Sequence, residues 1–130
     1  MGKALRFGLA GLMAASILAG APVAFASGGG DGISRTGACG ANSMWKLKAS
    51  PDNGRIEVEF EVDSNVVGQT WNWKLKDNGV AFAKGSAVTQ APSGSFEVER
   101  FTANQTGSDR IVGSAANPQT GETCRGALTL

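Results

Sequence analysis

Apolar and acidic residues alternate without interruption in the segment Arg55-Ile56-Glu57-Val58-Glu59-Phe60-Glu61-Val62-Asp63. A period of two is typical of a half-buried β-strand, and it places the apolar side chains on one face and the carboxylates on the other. A shift of one residue would turn all the carboxylates into the core, so the pattern also fixes the register. The segment therefore predicts a strand whose acidic face is solvated.

A second strand precedes this one. Residues 44–49 place Lys46 and Lys48 on one face, and Ser50-Pro51-Asp52-Asn53-Gly54 has the composition of a tight turn. The chain is thus expected to return as an antiparallel hairpin. Lysines of the first strand then face glutamates of the second, and each opposed pair contributes a few tenths of a kcal/mol.

The rest of the chain repeats this pattern of short strands separated by turn signals. The predicted strands are 44–49, 55–63, 69–76, 80–85, 95–103, 110–117 and 122–130. No stretch after residue 26 shows a helical apolar period, so the pattern predicts an all-β, immunoglobulin-like sandwich of about seven short antiparallel strands.

The order of the strands is left open by the charges. The simplest immunoglobulin order places strand 95–103 beside the acidic strand, which opposes Glu97 and Glu99 to other glutamates. Like charges opposed on a sheet are unfavourable. A meander would instead place Lys74 and Lys76 beside the acidic strand. We retain the sandwich and treat its strand order as undetermined.

The register of one hairpin is also undetermined. Asn78-Gly79 is a strong turn signal between two predicted strands. A two-residue turn pairs Leu75 with Phe82, whereas a turn that includes a glycine bulge pairs Leu75 with Ala81. The sequence does not decide whether Phe82 or the neighbouring alanines face the core.

The N-terminus has the features of a secretory signal peptide. A basic start is followed by an apolar run and by Ala24-Phe25-Ala26, which predicts cleavage after residue 26. The glycine-rich residues 27–38 are expected to form a flexible leader, and residues 39–130 a single domain. The chain is thus predicted to be secreted, with no membrane span after cleavage.

The charges and the cysteines further limit the kinds of protein and of site that the chain can form. Without Lys3 and Arg6 the chain carries 10 basic and 11 acidic residues, a balance that gives no electrostatic footprint for nucleic acid. Cys39 and Cys124 are the only cysteines, and in a secreted chain they are expected to form a disulfide that ties the two ends of the domain. The chain has no histidine, and the usual nitrogen and sulfur ligand set is therefore missing, so we predict no metal site. We also predict no cofactor.

Several runs resemble a known group of proteins. They are Trp45-Lys46-Leu47-Lys48-Ala49, Gly54-Arg55-Ile56-Glu57-Val58, Gly68-Gln69-Thr70-Trp71-Asn72-Trp73, Pro92-Ser93-Gly94-Ser95-Phe96-Glu97-Val98, and Asn117-Pro118 with Thr120-Gly121-Glu122-Thr123-Cys124-Arg125-Gly126. Together they resemble small secreted actinobacterial β-sandwich proteins to which no activity is assigned. The resemblance implies secretion and a compact domain, but no particular function. A weaker likeness in layout links the chain to β-sandwich modules that bind cellulose or chitin.

The tryptophans are the candidate ligand-binding residues. Trp45, Trp71 and Trp73 could stack on sugar rings, but each shares its strand face with a leucine, which is typical of core aromatics. If one of them is exposed, Trp71 is expected to be the one, because it lies nearest a strand end.

No catalytic set is predicted. Histidine and tyrosine are absent, which excludes Ser-His-Asp and Cys-His arrangements. The glutamate row resembles the charged outer face of a sheet more than a glycosidase pair in a cleft.

The sequence therefore predicts a secreted, non-catalytic binding or extracellular structural module whose partner is a polysaccharide or an extracellular protein. The alternatives are a carbohydrate-binding module and an inhibitor of a secreted hydrolase. An inhibitor would need a rigid exposed loop, such as Ala91 to Gly94 or Asn65 to Gly68.

Overall fold

The computed structural model describes residues 32–130, and the predicted signal peptide lies outside them. Eight strands make up the regular structure of the described part. They are β1 (Ile33–Ala38), β2 (Met44–Asp52), β3 (Arg55–Asp63), β4 (Thr70–Asp77), β5 (Val80–Val88), β6 (Ser95–Ala103), β7 (Arg110–Ala116) and β8 (Thr123–Thr129). Across residues 32–130, no helix is long and apolar enough to cross a membrane.

The strands form two antiparallel sheets of four, which confirms the predicted all-β sandwich. The first sheet has the order β1-β2-β3-β6 and the second the order β5-β4-β7-β8. Alternation along each strand turns one set of apolar side chains inward, and the two sets together form the core. Its members are Leu47, Ala49, Ile56, Val58, Phe60, Val62, Trp71, Trp73, Leu75, Phe96, Val98, Ile111, Ala115, Cys124 and Leu128.

The predicted disulfide is present. Cys39 follows β1 and Cys124 lies in β8, and their sulfur atoms are bonded. The bond joins one strand of each sheet across an open side of the sandwich. Beside it, the Gly40 N–H donates to the carbonyl of Thr123 at 2.9 Å, so backbone contacts reinforce the same junction.

Strand β1 corrects the predicted domain boundary. Residues 33–38 were expected to belong to a flexible leader, but Ile33–Ala38 pairs along β2 from Ala49 to Met44. The sequence of β1 is almost entirely polar or small, so it lacks the alternation that marks a strand. Backbone hydrogen bonds to the edge of β2 hold it in place, and such bonds do not require any particular pattern of side chains.

The neighbours of the acidic strand decide between the two strand orders that the sequence left open. Lys46 lies opposite Glu61 and Lys48 opposite Glu59, which confirms the β2–β3 hairpin. On its other side β3 pairs with β6, not with the strand that carries Lys74 and Lys76. The lysine–glutamate–lysine ladder of the meander is therefore wrong, and the immunoglobulin order is present despite its cost in charge repulsion.

The β4–β5 hairpin adopts neither of the two predicted registers. Asn78 and Gly79 form a two-residue turn with φ angles of 50° and 85°. The pairing then shifts, and Leu75 lies opposite Ala83. Phe82 is the extra residue of a bulge, which brings it and Ala83 to the same inner face, and both are half-buried against the core.

Small residues in β7 and β8 make room for large rings from the opposite sheet. A Cβ atom added to Gly113 would lie 2.8 Å from Cδ1 of Phe60, and one added to Gly126 would overlap the ring of Trp45. The weak apolar character of β7 thus reflects complementarity between small and large side chains across the core.

We expect Gly113→Ala to lower the free energy of unfolding by about 2 kcal/mol, because the fully buried Phe60 ring has no free space into which to move. Urea denaturation measures the change. Gly40→Ala is the matched control, since its new Cβ would meet nothing closer than 3.5 Å. Equal stability of the two variants would contradict the packing argument.

Candidate functional site

Four of the five longer connections within residues 32–130 lie at one end of the sandwich, which we call the loop end, and the fifth, residues 104–109, lies at the opposite end. The loop end comprises residues 39–43, 64–69, 89–94 and 117–122. Pairing of Met44 with Asp63, and of Asp63 with Ser95, brings the ends of three of these strands together. The opposite end carries the tight turns Asn53-Gly54 and Asn78-Gly79. Loops held by a rigid scaffold are where binding residues concentrate, so the loop end is the first candidate site.

Two buried hydroxyl residues hold the loop 64–69 in a fixed frame. The Ser64 Oγ donates to the carbonyl of Gly94 at 3.2 Å, and the Ser64 N–H donates to the same oxygen at 2.9 Å. The Thr89 Oγ1 donates to the carbonyl of Val66 and accepts from the Gln69 N–H at 2.8 Å. The Gly68 N–H donates to the carbonyl of Thr89 at 2.9 Å. The loops 64–69 and 89–94 are therefore one interlocked unit.

The tip of this unit presents two apolar side chains to solvent. Val66 is 49% exposed and Val67 is 55% exposed. Beside them lies a groove of about 410 Å³, lined in part by Asn42, Gln69 and residues 120–122. The two loops that the sequence offered as candidates for an inhibitor, Asn65 to Gly68 and Ala91 to Gly94, thus both belong to the loop end.

Glu122 fastens the other side of the loop end. Its carboxylate accepts hydrogen bonds from the Ala41 N–H at 2.8 Å, the Ser43 N–H at 2.9 Å and the Ser43 Oγ at 2.8 Å. Burial opposes ionisation of Glu122, but hydrogen bonds from Ser43, Ala41 and Asn42 outweigh it and lower its pKa. The charged carboxylate therefore holds the connection between β1 and β2 against the start of β8.

The outer face of the first sheet is acidic, and we call it the acidic face. Glu59 lies opposite Glu99, and Glu61 lies opposite Glu97. A hydrogen bond to Glu99, partial burial and nearby carboxylates raise the pKa of Glu57 to about 7. Partial burial, a hydrogen bond to Glu59 and neighbouring charges also raise the pKa of Glu97. Like charges forced together thus hold protons more tightly than isolated glutamates do.

Three of these glutamates approach closely enough to share a cation. One oxygen from each of Glu57, Glu59 and Glu99 lies within 4.8 Å of the others. Calcium takes six to eight oxygen ligands at a built site. Three carboxylates on an open sheet face supply about half of that set, so the geometry alone does not define a metal centre.

The outer face of the second sheet is basic, and we call it the basic face. Lys74 lies opposite Lys84 on this side, and the strand pairing places Lys76, Arg110 and Arg125 on it too. Small residues of β7 leave a shallow trough of about 380 Å³ in this face, lined in part by Lys74, Ser114 and Arg125. The two faces of the sandwich therefore carry opposite charge.

The tryptophans do not form a binding platform. Trp71 is fully buried and Trp73 is 5% exposed, as expected of core aromatics, so the most exposed of the three is Trp45 and not Trp71. The Arg100 guanidinium lies 5.0 Å from the centre of the Trp73 ring. Trp45 is half-buried, and its ring lies against Gly37 and Gly126. Burial removes the ring faces of Trp71 and Trp73 from any ligand in solvent.

A buried pair of aspartates was missed from the sequence. Asp77 is 2% exposed and Asp109 is 1% exposed, and their carboxyl groups lie close enough to share a hydrogen bond when one of them is protonated. The Thr102 Oγ1 donates to Asp77 Oδ2 at 3.0 Å, whereas Asp77 Oδ1 has no hydrogen-bond donor among residues 32–130. Asp77 is adjacent to the Asn78-Gly79 turn and Asp109 lies in a loop, so in sequence both read as solvated turn residues.

No protein family, curated protein or solved structure matches this chain.

Proposed function

We propose that this protein is a secreted, non-catalytic β-sandwich that works as an extracellular binding module. In this proposal the rigid loop 64–69 contacts another protein through Val66 and Val67. The resemblance to small secreted actinobacterial proteins and the disulfide are consistent with an extracellular location.

The exposure of two valines on a pre-formed frame is the observation that supports this proposal. Ser64 and Thr89 hold the backbone of the loop by hydrogen bonds that are largely shielded from solvent. The fold gains nothing from leaving Val66 and Val67 about half exposed. A partner that covers them gains apolar contact without having to order the loop, and such pre-organisation lowers the entropic cost of binding.

The test compares two valine variants. Val66→Ser/Val67→Ser removes the apolar tip, and Val80→Ser is the control because Val80 is 68% exposed at the opposite end. Each protein is immobilised and exposed to medium conditioned by the producing organism, and retained proteins are identified by mass spectrometry. We expect one protein to be retained by the wild type and by Val80→Ser, with at least tenfold less on the loop variant. Equal retention by all three would overturn the proposal.

Inhibition of a secreted hydrolase is the second candidate, and the interlocked loops 64–69 and 89–94 favour it. Protease inhibitors bind through rigid exposed loops whose backbone moves little on binding. A panel of purified secreted proteases and glycosidases tests this candidate. Stoichiometric inhibition by the wild type and Val80→Ser, but not by Val66→Ser/Val67→Ser, would support it, and full activity of every enzyme would count against it.

A sugar-binding role now rests on Trp45 alone. Acrylamide quenching of tryptophan fluorescence should show strong protection of the buried Trp71 and Trp73 rings. Added cellulose or chitin should leave the fluorescence unchanged. A shift in emission on adding either polysaccharide would revive this alternative.

A further inference from the structure

We propose that copies of this protein associate with one another, the acidic face of one copy lying on the basic face of the next. This contact uses the outer faces of the two sheets and leaves the loop end free, so it is independent of the function proposed above.

The charges of the two faces are complementary in sign and size. The outward positions of the first sheet carry an excess of acidic residues, namely Asp52, Glu57, Glu59, Glu61, Asp63, Glu97 and Glu99 against Lys46, Lys48 and Arg55. The outward positions of the second sheet carry Lys74, Lys76, Lys84, Arg110 and Arg125 and no acidic residue among the described strands. The net charges are therefore −4 and +5 on opposite sides of one nearly neutral domain.

The acidic face is under electrostatic stress that a cationic partner relieves. Glu59 and Glu99 are opposed on neighbouring strands, whereas Lys46 and Lys48 lie on β2, two strands away from Glu99. The balancing lysines of the same chain lie on the other sheet, behind a core about 10 Å thick. Complementary potentials of this kind set orientation and speed association.

The arrangement generates an open chain of copies. The two faces are different surfaces on opposite sides, so the contact is heterologous, and each added copy leaves one acidic and one basic face free. Four strands about 4.8 Å apart and about 25 Å long give roughly 450 Å² per face. The total of about 900 Å² is below that of stable dimers, so association is reversible and grows with concentration.

Sedimentation velocity over a concentration series at low ionic strength tests the proposal. We expect the mean mass of the wild type to rise with concentration and to return to that of a monomer in high salt, because salt screens exposed charges. Asn104→Lys/Gln119→Lys adds positive charge at two exposed loop positions off both faces and should associate like the wild type. A wild type that stays monomeric at every concentration in low salt would overturn the proposal.

Two charge-reversed variants identify the surfaces. Glu59→Lys/Glu99→Lys neutralises the acidic face, and Lys74→Glu/Lys84→Glu nearly neutralises the basic face. Alone, each should lose at least tenfold in association constant. Their mixture retains one intact acidic face and one intact basic face, so it should form a one-to-one heterodimer and no longer species. Circular dichroism checks that both variants fold. Association of either variant alone as strong as that of the wild type, or absence of the heterodimer, would contradict the face-to-face contact.

Discussion

Replacing both Cys39 and Cys124 by alanine is expected to lower the free energy of unfolding by about 4 kcal/mol. The two residues are 85 positions apart in the sequence, so the bond closes most of the domain into one loop. In the chain-entropy model a loop of that length is worth about 4–5 kcal/mol, mainly because the unfolded chain is restricted. For a domain of this size the loss corresponds to a fall in Tm of about 20 °C.

The folded state of the variant should be unchanged. The Gly40 N–H and the Glu122 carboxylate bind across the same junction without help from the sulfur atoms. Near-ultraviolet circular dichroism should therefore match that of the wild type, while urea denaturation shows the loss. Reduced wild-type protein is the control and should lose a similar amount. If the alanine variant and the reduced wild type both lose less than about 1 kcal/mol, the noncovalent contacts at this junction, and not the covalent bond, provide the stability.

The parts of the fold that could be predicted are those in which side-chain period and turn chemistry agree. Strand β3, its hairpin with β2 and the disulfide all follow from such signals. Strand β1 could not be predicted, because edge pairing is made by backbone groups and Ile33–Ala38 buries almost no apolar surface. The bulge at Phe82 was missed for a related reason, since an extra residue breaks the alternation on which the register depends.

The neighbour of β3 illustrates a different limit. Local charge pairing favours lysines beside the acidic strand, and each opposed pair is worth at most about 1 kcal/mol. Placing β6 there instead buries Phe96 and Val98 with the core of β3, and burying a side chain of that size is worth about 1.5–3 kcal/mol. The apolar term therefore decides the strand order, and the repulsion remains as raised glutamate pKa values on the outer face.

The candidate site was only partly visible in the sequence. Turn residues marked the loops 64–69 and 89–94, but the hydroxyls of Ser64 and Thr89 that lock them together are 25 residues apart in the chain. The charge difference between the two faces depends on which strands share a sheet. It became visible only once the sheet order was known.

The variant Asp109→Asn is expected to raise the free energy of unfolding at pH 8 by about 2–3 kcal/mol, because it removes one of two buried carboxyl groups that repel each other when ionised. Burial, followed by the hydrogen bond and the charge of Asp77, raises the pKa of Asp109, while the Gln105 N–H opposes the shift. The side-chain amide introduced at this position can donate to the otherwise unpartnered Asp77 Oδ1, and its carbonyl oxygen can still accept from the Gln105 N–H.

The pH dependence separates this explanation from a simple packing effect. A pKa raised in the folded state contributes stability that is fully present below the unfolded value and is lost as the pH rises through the folded value. The wild type should therefore lose stability through Glu57 as the pH rises from about 4.5 to about 7, and Asp109, whose pKa is also raised, should add a loss that begins above its own unfolded pKa. Asp109→Asn should lose less stability over the same range, so the difference in free energy of unfolding between it and the wild type should grow with pH.

Urea denaturation at several pH values measures both curves. Glu57→Gln is the control, because it removes only the contribution of the surface glutamate. Parallel curves for the wild type and Asp109→Asn would show that Asp109 titrates alike in the folded and unfolded chains, and that the buried pair holds no extra proton.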